Sequence, residues 1–313
     1  MNDLQTKPET EILPKANKAS ALVEAFLSGR NEKTIKAYRQ ALEHFATFAE
    51  KLTVEEAAQE LLQKELGDAN QLVLMYKKEM KKKGLSAATI NHRLAALRSL
   101  TKLGRMLGLV SWALEIENTK VEPYRDTRGP GKEGVQKMLK ELSTRLDDKA
   151  ARDTAMVHLL YDMALRAFEV VGLDLADVKL EKSELWVLGK GRQQRERFTL
   201  APETKDALKA WIKVRGNEAG PLFTNFDPAG KGHRLTTTGL YLMIRGLGEK
   251  VGEKTRPHGL RHAAITEALE QTQGDVRRVA KYSRHKDLRV LVVYDDARKD
   301  IAGEVSKLVA KST

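Results

Sequence analysis

His258-Gly259-Leu260-Arg261-His262, followed by a helical run to His285 and then by Tyr294, is the stretch on which the reading of this chain turns. Leu260, Ala264, Ile265, Ala268 and Leu269 recur at helical spacing, which pins one face of a helix to a core. His258 and Arg261, three apart, then share another face. A guanidinium offers a planar fork that fits two phosphate oxygens, and a neighbouring imidazole adds a further hydrogen bond. The grouping suits the gripping of a phosphodiester, with a phenol further on to attack the phosphorus. On spacing alone, a helix start with a solvated basic face is the simpler reading. His258 and His262 also stand four apart, as zinc-binding histidines on a helix often do. No acidic residue follows His258 as a metalloprotease motif requires, and the chain has no cysteine, so no metal is expected.

Composition narrows the choice. At 313 residues the chain is long enough for two domains with cores of their own. Hydrophobic residues make up 41% and charged residues 31%, which predicts a folded chain with a heavily ionised surface. Lys and Arg outnumber Asp and Glu by 55 to 43, a formal net charge of +12 that favours a polyanionic partner. No apolar run approaches the roughly 18 residues of a spanning helix, so no membrane role is expected. Asp3, Glu9 and Glu11 do not fit the basic start of a signal peptide, and the lack of cysteine is compatible with a reducing compartment. A cytoplasmic protein is the expectation.

Taken in order, residues 1–18 read as a flexible arm, with Pro8, Pro14 and no apolar periodicity. Residues 19–117 read as a bundle of four helices. Ile35, Tyr38, Leu42, Phe45 and Phe48 form one apolar stripe after an Asn31 N-cap, with Lys36 and Arg39 on other sides. Two short helices follow, the second ending in Lys81-Lys82-Lys83-Gly84. In Ser86–Leu100, Ile90, Leu94, Leu97 and Leu100 mark the buried side and leave Asn91, Arg93 and Arg98 to face outward. These polar and basic side chains serve either solubility or a nucleic acid. Residues 118–132, broken by Pro123, Gly129, Pro130 and Gly131, read as a linker. Residues 133–313 then read as helices around one small sheet, with strands near 178–180, 185–188 and 197–200, and with Gly189-Lys190-Gly191-Arg192 turning between the last two. The predicted fold is mainly α with a small antiparallel β-sheet.

Before that sheet, Arg166 and Glu169 stand three apart, so the carboxylate can orient the guanidinium; a surface ion pair is the plainer reading. Lys190 lies between two glycines at a hairpin tip, where it either reaches a neighbouring groove or is simply solvated. Taken together, Arg166 with Glu169, Lys190 in a hairpin, His258-Gly259-Leu260-Arg261-His262, His285, and Tyr294 nine residues later resemble the signature of the tyrosine site-specific recombinases, the phage integrases and Xer-type proteins. The resemblance extends to the helical pattern of Thr34–Phe48 and Ser86–Leu100, which is similar to the family's core-DNA-binding domain. Two positions depart from the family's usual pattern. Ser283-Arg284 precedes His285 where Leu-Gly is usual, and Leu291 stands where Thr often precedes the tyrosine. A glycine before His285 would ease a helix-to-helix turn, so Arg284 must avoid positive φ or carry strain.

The resemblance implies a two-domain enzyme on double-stranded DNA, assembling as a homotetramer on paired sites. It also implies cleavage through a 3′-phosphotyrosine intermediate and a Holliday junction, without metal, ATP or other cofactor. It assigns Tyr294 as nucleophile, Arg166 and Arg261 as the phosphate clamp, and Lys190 as general acid. His258 and His285 would act on the phosphate or its protons, and Glu169 and His262 would support them. Lys36, Arg39, Asn91, Arg93 and Arg98 become candidates for DNA contact. Topoisomerase-like relaxation and non-catalytic DNA-binding regulation remain as alternative functions.

Overall fold

Asn31, Thr53 and Ser86 start three helices by one device: a short side-chain oxygen accepts a hydrogen bond from the backbone N–H three residues on. The computed structural model describes residues 15–28, 31–120, 129–189, 194–285, 287–288, 291 and 301–311. The chain divides into two compact units, Met1–Glu122 and Pro123–Thr313.

The first unit carries α1 (Lys15–Ser28), α2 (Glu32–Phe48), α3 (Val54–Gln63), α4 (Leu66–Lys82) and α5 (Ala87–Met106). The four expected helices are therefore five among the described residues, and α1 begins inside the stretch read as an arm. Its Leu22, Val23, Phe26 and Leu27 are buried with the stripe of α2 and with Ile90, Leu94, Leu97 and Leu100 of α5. Each such side chain contributes roughly 1.5–3 kcal/mol when fully buried. Helix α4 stops after Lys81 and Lys82, where Gly84 takes the left-handed conformation at φ +70°.

After α5 the chain runs without helix or strand through residues 112–120, with Leu114 and Ile116 buried in the same core. Four side chains hold this segment by its backbone. Asn91 donates to the Thr119 carbonyl at 2.8 Å and accepts from its N–H at 2.7 Å. Arg98 donates to the Ile116 carbonyl and to Asn118 Oδ1. Lys77 Nζ donates to the Glu117 carbonyl at 2.6 Å, and Asn70 Oδ1 accepts from Glu115 N–H at 3.1 Å. The expectation that Asn91 and Arg98 are left to face outward is corrected: both are half-buried and hydrogen-bonded to the strap that follows α5. Lys36 and Arg39 on α2 are exposed, and Arg93 is half-buried.

In the second unit, α6 (Gly131–Ser143), α7 (Asp148–Tyr161) and the short α8 (Ala167–Val171) precede a three-stranded sheet. Strands β1 (Val178–Lys179), β2 (Glu184–Leu188) and β3 (Arg195–Thr199) pair antiparallel in sequence order, with Leu185 opposite Phe198. On β2, Leu185 and Val187 are buried while Trp186 and Leu188 are exposed, the period of two that marks a half-covered sheet. Then come α9 (Pro202–Arg215), α10 (Thr237–Lys250), α11 (Pro257–Gln271), α12 (Val276–Ser283) and α13 (Ile301–Ala310). Leu159 and Leu160 of α7 sit in a core shared with α6, α9 and α10. This is the mainly helical fold with one small antiparallel sheet expected from the sequence. Among the described residues, no helix is long and apolar enough to cross a membrane.

Gly129 and Gly259 explain each other. A Cβ on Gly129 would come within 1.8 Å of the Gly259 carbonyl oxygen, and one on Gly259 within 2.7 Å of Thr255 Oγ1. The close approach lays the entry to α6 across the first turn of α11, and that turn is the one carrying His258 and Arg261.

Candidate active site

Helices α7 and α12 both end with a non-glycine residue in the left-handed region, Ala164 at φ +46° and Arg284 at φ +58°. A backbone hydrogen bond closes each turn: His285 N–H donates to the Ala280 carbonyl five residues back, a 6→1 bond, and Leu165 N–H to the Leu159 carbonyl six residues back, one residue wider. A left-handed L-residue costs roughly 1–2 kcal/mol. Of the two outcomes open to Arg284, strain is the one observed. Both strained turns face the same place.

Arg261, fully helical on α11 and 1% exposed, donates from Nη1 to the Ala164 carbonyl and from Nη2 to the Ser283 carbonyl. One buried guanidinium thereby ties α11 to both strained turns. This excludes the solvated basic face that spacing alone favoured, because Arg261 meets backbone oxygens in the interior. Two residues beyond Ala164, Arg166 is the N-cap of α8. Its backbone N–H donates to Glu169 Oε2 at 2.8 Å and its Nη1 to Oε1 at 3.1 Å. The Glu169 side chain is wholly buried, whereas that of Arg166 keeps 30% of its surface open. The pair is thus a buried carboxylate aiming a half-exposed guanidinium, and no longer reads as a surface ion pair.

The histidines complete the constellation. Ser283 Oγ donates to the Val279 carbonyl at 2.6 Å, so toward His285 Nδ1, 2.7 Å away, it accepts. His285 accordingly carries its proton on Nδ1 and turns the Nε2 lone pair to Arg261 Nη2 at 3.5 Å. His258, with an edge on solvent, packs at right angles to His262, their ring centres 4.2 Å apart. Partial burial and the positive charges of Arg261, Arg256 and Arg166 push the His258 imidazole below its ordinary value. Burial first, then Arg261 and Arg166, bring His285 down to about 4; burial, His258 and Arg261 bring His262 down to about 3. At neutral pH the three rings are uncharged. One hydrogen-bond network joins the two guanidiniums: Arg261 is anchored on the Ala164 carbonyl, Arg284 donates to that carbonyl and to Glu169, and Glu169 accepts from Arg166.

These shifts fix a pH dependence. In the unfolded chain both histidines titrate near ~6.5, whereas in the fold they resist protonation down to about 4 and about 3. Their contribution to stability is complete above pH ~6.5 and is lost as pH falls through the folded values. The thermal midpoint should fall on acidification below pH 6.5, and less steeply in His285→Asn. A midpoint equally pH-dependent in wild type and variant would contradict this assignment.

Sequence reasoning did not select Ser283 or Arg284 as site residues, although a cation beside His285 was a visible signal. Lys190 and Tyr294 lie outside the described residues. Beside the centre is an open cleft of about 480 Å³ lined by Glu196, Arg197, Phe198, Ala280, Lys281, Arg284 and His285. It brings one flank of the β2–β3 hairpin to the end of α12. No group of acidic, histidine or cysteine residues able to hold a metal ion occurs among the described residues.

The comparisons with known proteins bear on the whole of this arrangement. A model of the phage integrase family matches residues 131–300, and one of the phage integrase N-terminal SAM-like domain matches residues 23–104. A tyrosine recombinase of Synechococcus elongatus is 38% identical over 289 residues, 90% of each chain. One of Synechocystis sp. is 35% identical over 312 residues, 96% of this chain and 99% of the other. Among solved structures, the XerH site-specific recombinase bound to a palindromic difH substrate, in its post-cleavage complex, superposes with a TM-score of 0.66 at 21% identity, covering 93% of this chain and 85% of that one.

Proposed function

The chain belongs to the phage integrase family of tyrosine recombinases, and from that premise we propose that it cuts and rejoins duplex DNA at specific sites through a covalent phosphotyrosine intermediate. The observation that carries the reading is the meeting of Arg166 and Arg261 at one centre, the first aimed by buried Glu169 and the second anchored in the interior.

The chemistry follows from charge. A tyrosine phenol titrates near ~10, so it is a poor nucleophile at neutral pH unless nearby charge favours its ionisation. Two guanidiniums supply that field and stabilise the negative charge that builds on the non-bridging oxygens. Tyr294 attacks the phosphorus as its O–H proton passes to water, the bond from phosphorus to the 5′ oxygen breaks, and Lys190 protonates that oxygen. The product is a 3′-phosphotyrosine with a free 5′ hydroxyl. One ester replaces another, so the step itself consumes no ATP, and a second strand's 5′ hydroxyl reverses it onto a new partner. His285, held by Ser283 and lying beside Arg261, hydrogen-bonds the phosphate or assists proton movement. His258 stands at the open edge as the imidazole placed to donate to a phosphate oxygen. Glu169 and His262 hold these groups in position.

Lys36 and Arg39, exposed on α2, and Arg93 are the first unit's candidates for DNA contact, while Asn91 and Arg98 shape that surface by fixing the strap. Exchange of strands between two duplexes needs four active sites, so a homotetramer on paired sites is the working assembly. A plasmid carrying two copies of a site recovered by binding selection tests this function. Deletion or inversion between the sites is the expected product. Relaxation of supercoils in plasmid lacking any such site, without exchange, would point instead to a topoisomerase.

A further inference from the structure

Arg284 departs twice from what its position calls for. Closing the left-handed turn after α12 asks for glycine, and an arginine there is strained. Its guanidinium is also carried inside, with only 6% of the side chain exposed, and its Nε–H is buried without a hydrogen-bond acceptor. Burial first, and also the positive charge of Arg166, push this guanidinium below its ordinary value against the opposing pull of Glu169. Both features oppose folding, one through the backbone and the other through an unmet buried donor. Glycine would avoid both. Such an outlier leads to a functional hypothesis when its contacts reach a functional centre.

Those contacts do. Arg284 Nη2 donates to Glu169 Oε2 at 2.7 Å, the same oxygen that receives the Arg166 backbone N–H. It also donates to the Ala164 carbonyl at 3.1 Å, the oxygen on which Arg261 is anchored, and its Nη1 reaches the Met163 carbonyl at 3.3 Å. The guanidinium lies over the Phe198 ring, 5.1 Å from its centre, which joins strand β3 to the same point. Thus the two anchors of the proposed phosphate clamp, Glu169 for Arg166 and Ala164 for Arg261, are both held by this one side chain.

We propose that Arg284 is a positioning residue for strand cleavage: it draws on the charge of Glu169, so that Arg166 is less neutralised toward the scissile phosphate, and it locks the Ala164 turn on which Arg261 is set. The proposal rests on the recombinase reading above. With glycine at 284, Glu169 would face Arg166 alone and the centre would lose one positive charge. Cleavage then slows for want of field at the phosphorus, while DNA affinity, set by contacts spread over both units, stays the same.

The test is single-turnover cleavage of a nicked duplex over a range of pH by wild type, Arg284→Gly and Arg284→Lys, with DNA affinity and thermal midpoint measured alongside. Arg284→Gly should keep the fold, bind DNA within about twofold of wild type, and cleave at least about tenfold more slowly. The rising limb of its pH–rate profile should move to higher pH, because a lost positive charge makes the attacking phenol harder to ionise. Arg284→Lys should restore the limb and part of the rate, since it returns the charge without the fork. A purely structural residue would move the midpoint and leave the pH limb in place. An Arg284→Gly enzyme with wild-type rate and limb would overturn the proposal, as would a lowered midpoint in both variants with an unmoved limb. Failure of the wild type to form any adduct would instead overturn the recombinase reading, and this inference with it.

Discussion

Arg261→Ala is expected to reduce single-turnover strand cleavage by about 10²–10³-fold, a loss of roughly 3–4 kcal/mol of transition-state stabilisation. The side chain combines two tasks that in most sites fall to different residues. It places a positive charge beside His258 and His285, and it fastens α11 to the ends of α7 and α12 through the Ala164 and Ser283 carbonyls. Removing it leaves Ala164 with a remaining donor in Arg284, but takes from the Ser283 carbonyl the donor that Arg261 provides. Stability should fall by about 1–3 kcal/mol for that buried acceptor, with more from lost packing. Arg261→Lys separates the tasks. Its single ammonium keeps the charge but does not reproduce the planar fork that reaches both carbonyls, so cleavage should recover only in part. Rapid-quench kinetics with thermal unfolding in parallel checks both; unchanged cleavage by Arg261→Ala would remove the residue from the mechanism.

Tyr294→Phe should abolish covalent attachment to DNA altogether, because neither described tyrosine near the centre, Tyr161 or Tyr282, is suited to replace it. At a phenol pKa of ~10, about one molecule in a thousand is ionised at neutral pH, and each unit of depression gains tenfold. The described tyrosines near the centre are pushed the opposite way. Tyr282 donates its hydroxyl to the Tyr161 and Asp162 carbonyls, and burial together with Asp162 raises its phenol. Burial and the acidic residues Glu267 and Asp162 push Tyr161 up to about 12. Neither is in a state to act as nucleophile. The variant should still bind DNA within about twofold of wild type, since only a hydroxyl is lost. Denaturing electrophoresis after incubation with a nicked duplex reads the adduct directly; a band of wild-type intensity would show that another group attacks.

The parts of this fold that periodicity encodes were legible from the sequence. The apolar stripe of α2, the buried side of α5 and the Asn31 cap depend on neighbours within one or two turns. The Arg166–Glu169 pair was legible in the same local way, and the ordering of Arg166, Lys190, the His258–His262 run, His285 and Tyr294 supplied the family. What stayed hidden depends on partners distant in sequence. Asn91 and Arg98 look outward on a helical wheel until the strap of residues 112–120 arrives to use them. Leu114 and Ile116, alternating with polar neighbours, were the available sign of that strap. Arg284 read as a departure from a glycine turn, since nothing local reveals that Glu169, 115 positions earlier, receives its guanidinium. Helix α1 was obscured at its start by prolines and charge, and shows its face only in Leu22, Val23, Phe26 and Leu27.

The most direct measurement is the chemical identity of the protein–DNA link. Wild-type protein trapped on a nicked duplex, digested with protease and nuclease and analysed by mass spectrometry, should yield the peptide containing Tyr294 with a nucleotide joined through its 3′ phosphate. A nucleotide on any other residue, or a link through a 5′ phosphate, would contradict the account.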